Sequence, residues 1–284
     1  MSINKIAVVG AGQMGSGIAQ VFATAGKTVT VYDISQEIVD KSKAKLQKGL
    51  AKQVEKGKID QAKADAIMAN ISYSADTEYS DIGDTELVVE AAIERLDLKK
   101  SIFQKLDKAT KADCILATNT SSISITEIAK VVEDKSKVIG MHFFNPPVVM
   151  KLIEIICGGN TSEETYNTVF ALSQEIGKNP VTVDEAPGFV VNRILIPMIN
   201  EAIDLVQNGV ASPEDIDTAM KLGCNHPMGP LTLGDYIGLD TCLAIMETIF
   251  TETGDPKYRP SLLLRKMVRA GKLGNKTGEG FFKH

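Results

Sequence analysis

The chain has 284 residues, of which 44% are hydrophobic and 24% charged, and its formal net charge at pH 7 is −5. Such a chain can bury the core of one large domain or of two ordinary ones, and its composition is that of a soluble globular protein. The negative net charge excludes a general attraction to nucleic acids or anionic membranes, so a polyanionic ligand would require a local basic patch.

The cysteines and the apolar runs indicate the compartment. The four cysteines are scattered and show none of the paired spacings of zinc or dithiol motifs. The N-terminal stretch MSINKIAVVGAGQMG passes directly into a strand and a glycine loop, which is not the pattern of a signal peptide. No apolar run approaches the ~20 residues that span a bilayer. We therefore expect a cytoplasmic protein with reduced cysteines and no metal site.

A glycine-rich loop follows the first predicted strand. Residues 5–9 (KIAVV) are typical of a short buried strand, GAGQMG comes next, and an apolar helical pattern follows. A second strand, TVTVYD, ends at Asp33, eighteen residues beyond Gly15. In this context the glycine pattern predicts a dinucleotide site. Gly10 permits the tight turn, Gly12 lets a pyrophosphate approach the backbone, and Gly15 lets helix and strand pack closely.

Asp33 indicates which dinucleotide binds. A carboxylate at the end of the second strand can bond both ribose hydroxyls, and it repels a 2′-phosphate. No arginine lies near it in YDISQEIVDKSK, although Lys41 is a turn or two away. NAD is therefore favoured, with NADP as the less favoured alternative.

A lysine-rich segment interrupts the alternation of strands and helices. Residues 36–70 show no strand pattern but two helix-like segments broken near Gly57, and residues 41–63 hold eight lysines. A run of charges is usually a solvated helix face. Lys52 and Lys56 are four residues apart and share a face, which would also suit a phosphorylated ligand. The pattern alone leaves both interpretations open.

The strand patterns then return in NISYS, ELVVEAAI, CILATNTS and KVIGMHFF, with helical segments between most of them. This alternation predicts a doubly wound α/β sheet, in which ligands bind outside the carboxyl ends of the strands. The polar cluster of residues 119–122 falls at such an end. Ser124 and Glu127 match a capping box that starts a helix, and this leaves Ser121 just outside it.

One histidine precedes one glutamate by twelve residues in the stretch GMHFFNPPVVMKLIEII. After the NPP turn signal, residues 148–156 predict a mostly buried strand, in which the carboxylate of Glu154 is costly unless it is paired. Strand–turn–strand geometry can bring His142 beside it. Such a pair can be a general base that takes a proton from an alcohol while a hydride leaves to a nicotinamide. It can equally be a buried hydrogen bond that only stabilises the turn.

Beyond Pro187 the strand patterns stop, and we place a domain boundary between residues 1–186 and 187–284. The second domain is predicted to be all-helical. Its first helix contains Pro197 and is apolar nearly all round. Such a helix must be covered on several sides, which predicts the subunit interface of a homodimer or of a higher homo-oligomer. Ser212 and Pro213 open the next helix as cap and first residue.

Six stretches together resemble the 3-hydroxyacyl-CoA dehydrogenase family, in particular its bacterial short-chain 3-hydroxybutyryl-CoA dehydrogenases. They run in order along the whole chain: VVGAGQMGSGIAQ, ATNTSSISITEIA, GMHFFNPPVVMKLIEII, APGFVVNRILIPMINEA, DIDTAMKLGCNHPMGPLTLGDYIGLD and GKLGNKTGEGFF. The resemblance implies a Rossmann-like domain with a helical-hairpin insertion, followed by a smaller all-α domain that binds substrate and dimerises. It implies reversible NAD-linked oxidation of an (S)-3-hydroxyacyl-CoA, such as 3-hydroxybutyryl-CoA, to the 3-oxoacyl-CoA.

The resemblance also implies roles for individual residues. His142 matches the catalytic acid/base and Glu154 the residue that orients it, while Ser121 matches a contact to substrate and cofactor. Asn192, in the second domain, matches a residue that helps to complete the site. The hairpin lysines match residues that meet the CoA phosphates. The remaining positions match cofactor contacts: Gln13, Met14, Glu94, Lys99, Asn145 and Lys276.

Two departures from the family pattern are visible, and two rival functions remain open. At the extreme C-terminus, GFFKH has phenylalanine and histidine where tyrosines are common in the family. The family turn N-P-x-P-V-M here has its second proline one place early, at Pro147, although the spacing from histidine to glutamate is kept. One rival is a β-hydroxyacid dehydrogenase of the phosphogluconate type, which would need a lysine base after the hinge. The other is a homologue without catalytic activity that binds NAD or serves a structural role.

Overall fold

The structure is a computed structural model that describes residues 3–284. The chain divides into two compact units between Glu185 and Ala186. The strands of the first unit are β1 (Lys5–Val9), β2 (Thr28–Tyr32), β3 (Ile71–Ser74), β4 (Leu87–Glu90), β5 (Ile115–Thr118), β6 (Val138–Phe143), β7 (Leu152–Cys157) and β8 (Asn179–Asp184). Its α-helices are α1 (Gln13–Thr24), α2 (Gln36–Glu55), α3 (Gln61–Ala69), α4 (Leu96–Ala109), α5 (Ile125–Ala129) and α6 (Glu163–Glu175).

The strands form one eight-stranded sheet in the order β3-β2-β1-β4-β5-β6-β7-β8. All neighbouring pairs are parallel except β6 and β7, which are antiparallel. Every residue of β4, β5 and β6 is buried, as expected for central strands covered by helices on both faces. The predicted doubly wound sheet is confirmed, and the hairpin of α2 and α3 is inserted between β2 and β3.

The strand predicted over residues 148–156 begins only at Leu152, so its first part was predicted wrongly. The backbone N–H groups of Val149 and Met150 both donate to the carbonyl oxygen of Pro146 at 3.0 Å. The chain therefore closes a turn there, and these groups cannot join the sheet. The apolar side chains of the turn, which suggested a buried strand, are exposed: Val149 has 67% of its surface accessible.

The sequence patterns also missed β8. Its residues NPVTVD include Pro180, which lacks the N–H that a central strand must donate. The strand is tolerated because β8 lies at the edge of the sheet and pairs only with β7, where Pro180 is opposite Ile153.

The second unit contains helices α7 (Val191–Gln207), α8 (Pro213–Gly223), α9 (Pro230–Ile237), α10 (Leu239–Thr253) and α11 (Leu262–Arg269). Its core includes Ile199, Leu239 and Met246, all fully buried. The predicted cap at Ser212 is confirmed, since its hydroxyl accepts from the N–H of Asp215 at 3.1 Å. Within residues 3–284, no helix combines the length and the apolar character needed to cross a membrane.

Candidate active site

The glycine loop joins the end of β1 to the start of α1 and is closely packed at two of its three glycines. A Cβ added at Gly10 would lie 2.6 Å from the carbonyl oxygen of Ala91, and one at Gly15 would lie 1.8 Å from the carbonyl oxygen of Gly10. A Cβ added at Gly12 meets nothing within 4 Å. The backbone at Gly12 thus faces open space, as a site for a pyrophosphate requires. These residues therefore fit a bound dinucleotide.

Because Gly15 is closely packed and Gly12 faces open space, substitutions at these two glycines should have different effects, one on stability and the other on cofactor binding. We expect Gly15→Ala to unfold at a clearly lower temperature, because its methyl group would overlap the Gly10 carbonyl. We expect Gly12→Val to keep the unfolding midpoint of the unmodified protein and to weaken NADH binding at least about tenfold, since its side chain would fill the open space. Thermal unfolding and NADH fluorescence titration of both variants check this. Unweakened NADH binding by a folded Gly12→Val would contradict the assignment of the loop.

Asp33 lies directly after β2 and beside the loop. Its Oδ2 accepts from the N–H of Ala11 at 2.6 Å, and its Oδ1 accepts from the N–H of Ile34 at 2.7 Å. These bonds hold the carboxylate at the carboxyl end of the sheet, where a ribose would bind. Lys41 was the cation near Asp33 that kept NADP as an alternative cofactor in the sequence analysis. It pairs with Glu37 at 2.5 Å on the exposed surface of α2.

His142 and Glu154 are opposite each other in the antiparallel pair of β6 and β7. The Nδ1 atom of His142 lies 2.8 Å from Oε2 of Glu154. His142 is 6% exposed and Glu154 is 0% exposed, so the pair lies in the protein interior. The two side chains are therefore side by side, as the spacing in the sequence predicted. His142 is the fifth residue of β6 itself, at the same edge of the sheet as the glycine loop.

Glu94 follows β4 and organises the polar cluster after β5. Its Oε1 accepts from the Thr120 hydroxyl at 2.6 Å and from the N–H of Ser121 at 2.8 Å, with weaker bonds from the Ser121 hydroxyl and from Ser122. Burial opposes ionisation of Glu94, but Lys99 and these donors outweigh it, so the pKa of Glu94 is lowered. The ionised carboxylate therefore orients both the backbone and the hydroxyl of Ser121.

Lys99 is only 1% exposed and lies beneath Glu94. Its ammonium donates to both carboxylate oxygens of Glu90, at 2.8 and 2.9 Å, and lies 3.3 Å from Glu94. Glu90 is fully buried and also accepts from the Thr118 hydroxyl at 2.7 Å. Sequence patterns missed Glu90 altogether, because a carboxylate at the end of a strand gives no sign that it faces a lysine one turn into the next helix. The predicted cofactor contact of Lys99 itself stays a prediction.

The turn between β6 and β7 meets the glycine loop. The side-chain amide of Gln13 donates to Oδ1 of Asn145 at 2.9 Å, which joins two predicted cofactor contacts. A second bond, from the N–H of Phe143 to Oδ1 of Asn119 at 2.8 Å, ties the end of β6 to the cluster after β5. Asn119 belongs to the polar cluster that the sequence places at this end of the sheet, but its bond to β6 could not be predicted. Met14, in the first turn of α1, packs partly buried against the core.

The remaining predicted residues lie elsewhere. Lys52 and Lys56 are exposed at the end of α2, on the helical hairpin. In the second unit, Asn192 is buried in the first turn of α7, and Lys276 donates to Asp240 at 2.8 Å and to Thr241 at 2.9 Å. Their roles toward substrate and cofactor stay predictions.

Comparisons with known proteins agree with this geometry. Residues 5–186 match the family model described as "3-hydroxyacyl-CoA dehydrogenase, NAD binding domain", and residues 188–284 match "3-hydroxyacyl-CoA dehydrogenase, C-terminal domain". The first of these matches, together with the glycine loop and Asp33, identifies NAD as the cofactor.

Relatives match over the full length of the chain. A 3-hydroxybutyryl-CoA dehydrogenase of Clostridioides difficile is 55% identical, covering 98% of this chain and 98% of the relative. The human mitochondrial hydroxyacyl-coenzyme A dehydrogenase is 43% identical, covering 99% of this chain and 91% of the relative. The crystal structure of (S)-3-hydroxybutyryl-CoA dehydrogenase from Ralstonia eutropha superposes with a TM-score of 0.96 at 50% identity, covering 100% of this chain and 99% of that one. The chain belongs to the 3-hydroxyacyl-CoA dehydrogenase family.

Proposed function

We propose that this protein catalyses the reversible, NAD-linked oxidation of (S)-3-hydroxybutyryl-CoA to acetoacetyl-CoA. The observation that carries the proposal is the buried hydrogen bond between His142 and Glu154, at the same edge of the sheet as the glycine loop. The thioester substrate is taken from the names of the relatives, and the chain length of four carbons rests on the bacterial ones among them.

In this proposal His142 and Glu154 together act as the general acid/base of the reaction. A carboxylate can only accept hydrogen bonds, so the imidazole of His142 donates from Nδ1 to Glu154. This tautomer leaves the lone pair on Nε2, which takes the proton from the substrate hydroxyl during oxidation and returns it during reduction. NAD, when bound, supplies the acceptor for the hydride that leaves C3. Glu154 stabilises the imidazolium that forms, and His142 thus carries one proton in each direction.

Other residues position the substrate in this proposal. The hydroxyl of Ser121, whose backbone is held by Glu94, is assigned to the reacting oxygen, and so is the side chain of Asn192. Lys52 and Lys56 are assigned to the phosphates of CoA, since both are exposed on the hairpin and share one face. Glu94, Asn145 and Lys276 are assigned to cofactor contacts.

We also propose that the protein is a homodimer formed through its second unit. Several large apolar side chains of this unit are exposed to solvent in a single chain, including Ile194 at 69%, Leu222 at 82% and Leu262 at 73%. Exposed apolar side chains that gather in one patch are typical of subunit contacts, and the proposed interface would cover these residues. Sedimentation equilibrium tests the assembly, and a monomer at micromolar concentration would contradict it.

The function is tested by following nicotinamide absorbance with acetoacetyl-CoA and, separately, with free acetoacetate. We expect rapid oxidation of NADH with the thioester, little with the free acid, and much slower oxidation of NADPH because Asp33 repels its 2′-phosphate. Binding of NADH without turnover of the thioester would favour the alternative of a homologue without catalytic activity.

A further inference from the structure

Lys178 is a buried lysine whose ammonium meets carbonyl groups instead of a carboxylate. It is 8% exposed, and its Nζ donates to the carbonyl oxygen of Pro147 at 2.5 Å and to that of Met150 at 2.7 Å. Among residues 3–284, the other buried lysines, Lys27 and Lys99, each form a salt bridge with a glutamate, whereas Lys178 forms none. Burial lowers the pKa of Lys178, so the fold retains this cation at a cost.

Both carbonyl groups belong to one turn, residues 145–150, which joins the strand of His142 to the strand of Glu154. Little packing holds this turn on its outer side, since Val148, Val149 and Met150 are all exposed. Lys178 itself is held firmly. Its backbone N–H donates to the Ser173 carbonyl at 3.0 Å, and the next residue pairs with β7. The ammonium therefore acts as a fixed anchor that fastens the turn at two points.

The other side of the turn rests on the dinucleotide loop. Asn145 accepts from the Gln13 amide at 2.9 Å. A Cβ added at Gly17 would lie 2.9 Å from the ring of Pro147, so the turn is seated directly on α1. A displacement of the turn would therefore move Asn145 relative to the glycine loop.

We propose that Lys178 is a positioning residue for the cofactor. By holding the carbonyl groups of Pro147 and Met150, it keeps Asn145, a predicted cofactor contact, in place beside the glycine loop. It thereby sets the affinity for NADH and, resting on the function proposed above, the rate of hydride transfer. The competing interpretation is that Lys178 only stabilises the fold.

The test compares Lys178→Met with Lys27→Met. Methionine keeps an unbranched side chain and removes the hydrogen-bond donors. Lys27 is a matched control because it is also buried (3% exposed) but lies immediately before β2 and pairs with Glu175. NADH affinity is measured by cofactor fluorescence without substrate, alongside kcat, KM for acetoacetyl-CoA and the unfolding midpoint. We expect Lys178→Met to weaken NADH binding about tenfold and to lower kcat, since charge-assisted hydrogen bonds are lost. Lys27→Met should lower only the midpoint.

A change in the unfolding midpoint of Lys178→Met alone, with NADH affinity and kcat as in the unmodified protein, would overturn the proposal. Asn145→Ala keeps it testable if Lys178→Met does not fold, because Asn145 is exposed and its truncation leaves the core intact. Weaker NADH binding by Asn145→Ala supports the proposal, and unchanged binding overturns it. NADH binding is measured without substrate. Unmodified protein that binds NADH but does not reduce acetoacetyl-CoA would therefore contradict the proposed function and leave the role of Lys178 in cofactor binding to be decided by the variants.

Discussion

Replacement of His142 by glutamine is expected to lower kcat by about 10²- to 10⁴-fold, the usual share of a positioned general acid/base. Glutamine can still donate a hydrogen bond to Glu154 but cannot take the proton of the substrate hydroxyl. The unfolding midpoint and the affinity for NADH should therefore stay close to those of the unmodified protein. Steady-state kinetics with acetoacetyl-CoA and NADH measure the loss.

His284→Gln is the matched control, because the chain contains a second histidine paired with a buried carboxylate. His284 Nε2 lies 3.0 Å from Oδ2 of Asp235, which is 0% exposed. If any disturbed histidine–carboxylate pair lowered activity, both variants would lose it. We expect kcat of His284→Gln within twofold of the unmodified protein. Near-normal kcat in His142→Gln would remove His142 from the reaction.

Replacement of Glu154 by glutamine is the second large effect that we expect. A glutamine amide can donate to Nδ1 of His142, and the ring hydrogen would then move to Nε2, the atom that accepts the substrate proton in the proposed reaction. We expect kcat to fall by about 10² or more, as is usual when a general base is lost in this way. We also expect a loss of about 1–3 kcal/mol in the free energy of unfolding, because Glu154 is fully buried and its hydrogen bonds are disturbed.

Glu175→Gln provides the control for Glu154. Glu175 pairs with the buried Lys27 at 2.5 Å, so its neutralisation also disturbs an ion pair of the first unit. It should lower stability and leave kcat unchanged. Activity and stability of Glu154→Gln that both match the unmodified protein would mean that the pair has neither role.

The pairing of His142 with Glu154 could be predicted because the information is local. Two strands joined by a short turn must place residues on either side of it opposite each other, and the twelve-residue spacing puts these two in register. The glycine loop and Asp33 were predictable for the same reason, since strand, turn and helix follow directly in the chain. The rival function, a β-hydroxyacid dehydrogenase of the phosphogluconate type, was only disfavoured by the absence of a suitable lysine. The match to the 3-hydroxyacyl-CoA dehydrogenase family over both units excludes it.

The supports of the site were not predictable from the chain. Lys99 lies in a helix where a lysine usually faces solvent, and only the fold shows that it pairs with Glu90 inside the protein. Lys178 binds backbone carbonyl groups, and these carry no residue signature. The turn before β7 was predicted from the NPP signal, but its extension to residue 150 was missed. The valines have the composition of a strand, and the bonds that close the turn involve only the backbone.

The measurement that tests the account most directly is the reduction of NAD by (S)-3-hydroxybutyryl-CoA in the purified protein, with the (R)-thioester as control. The account predicts that nicotinamide absorbance rises with the (S)-thioester, that the (R)-thioester gives little signal, and that His142→Gln loses the signal while it still binds NADH. No rise with the (S)-thioester in protein that binds NADH, or equal rates with both stereoisomers, would contradict it.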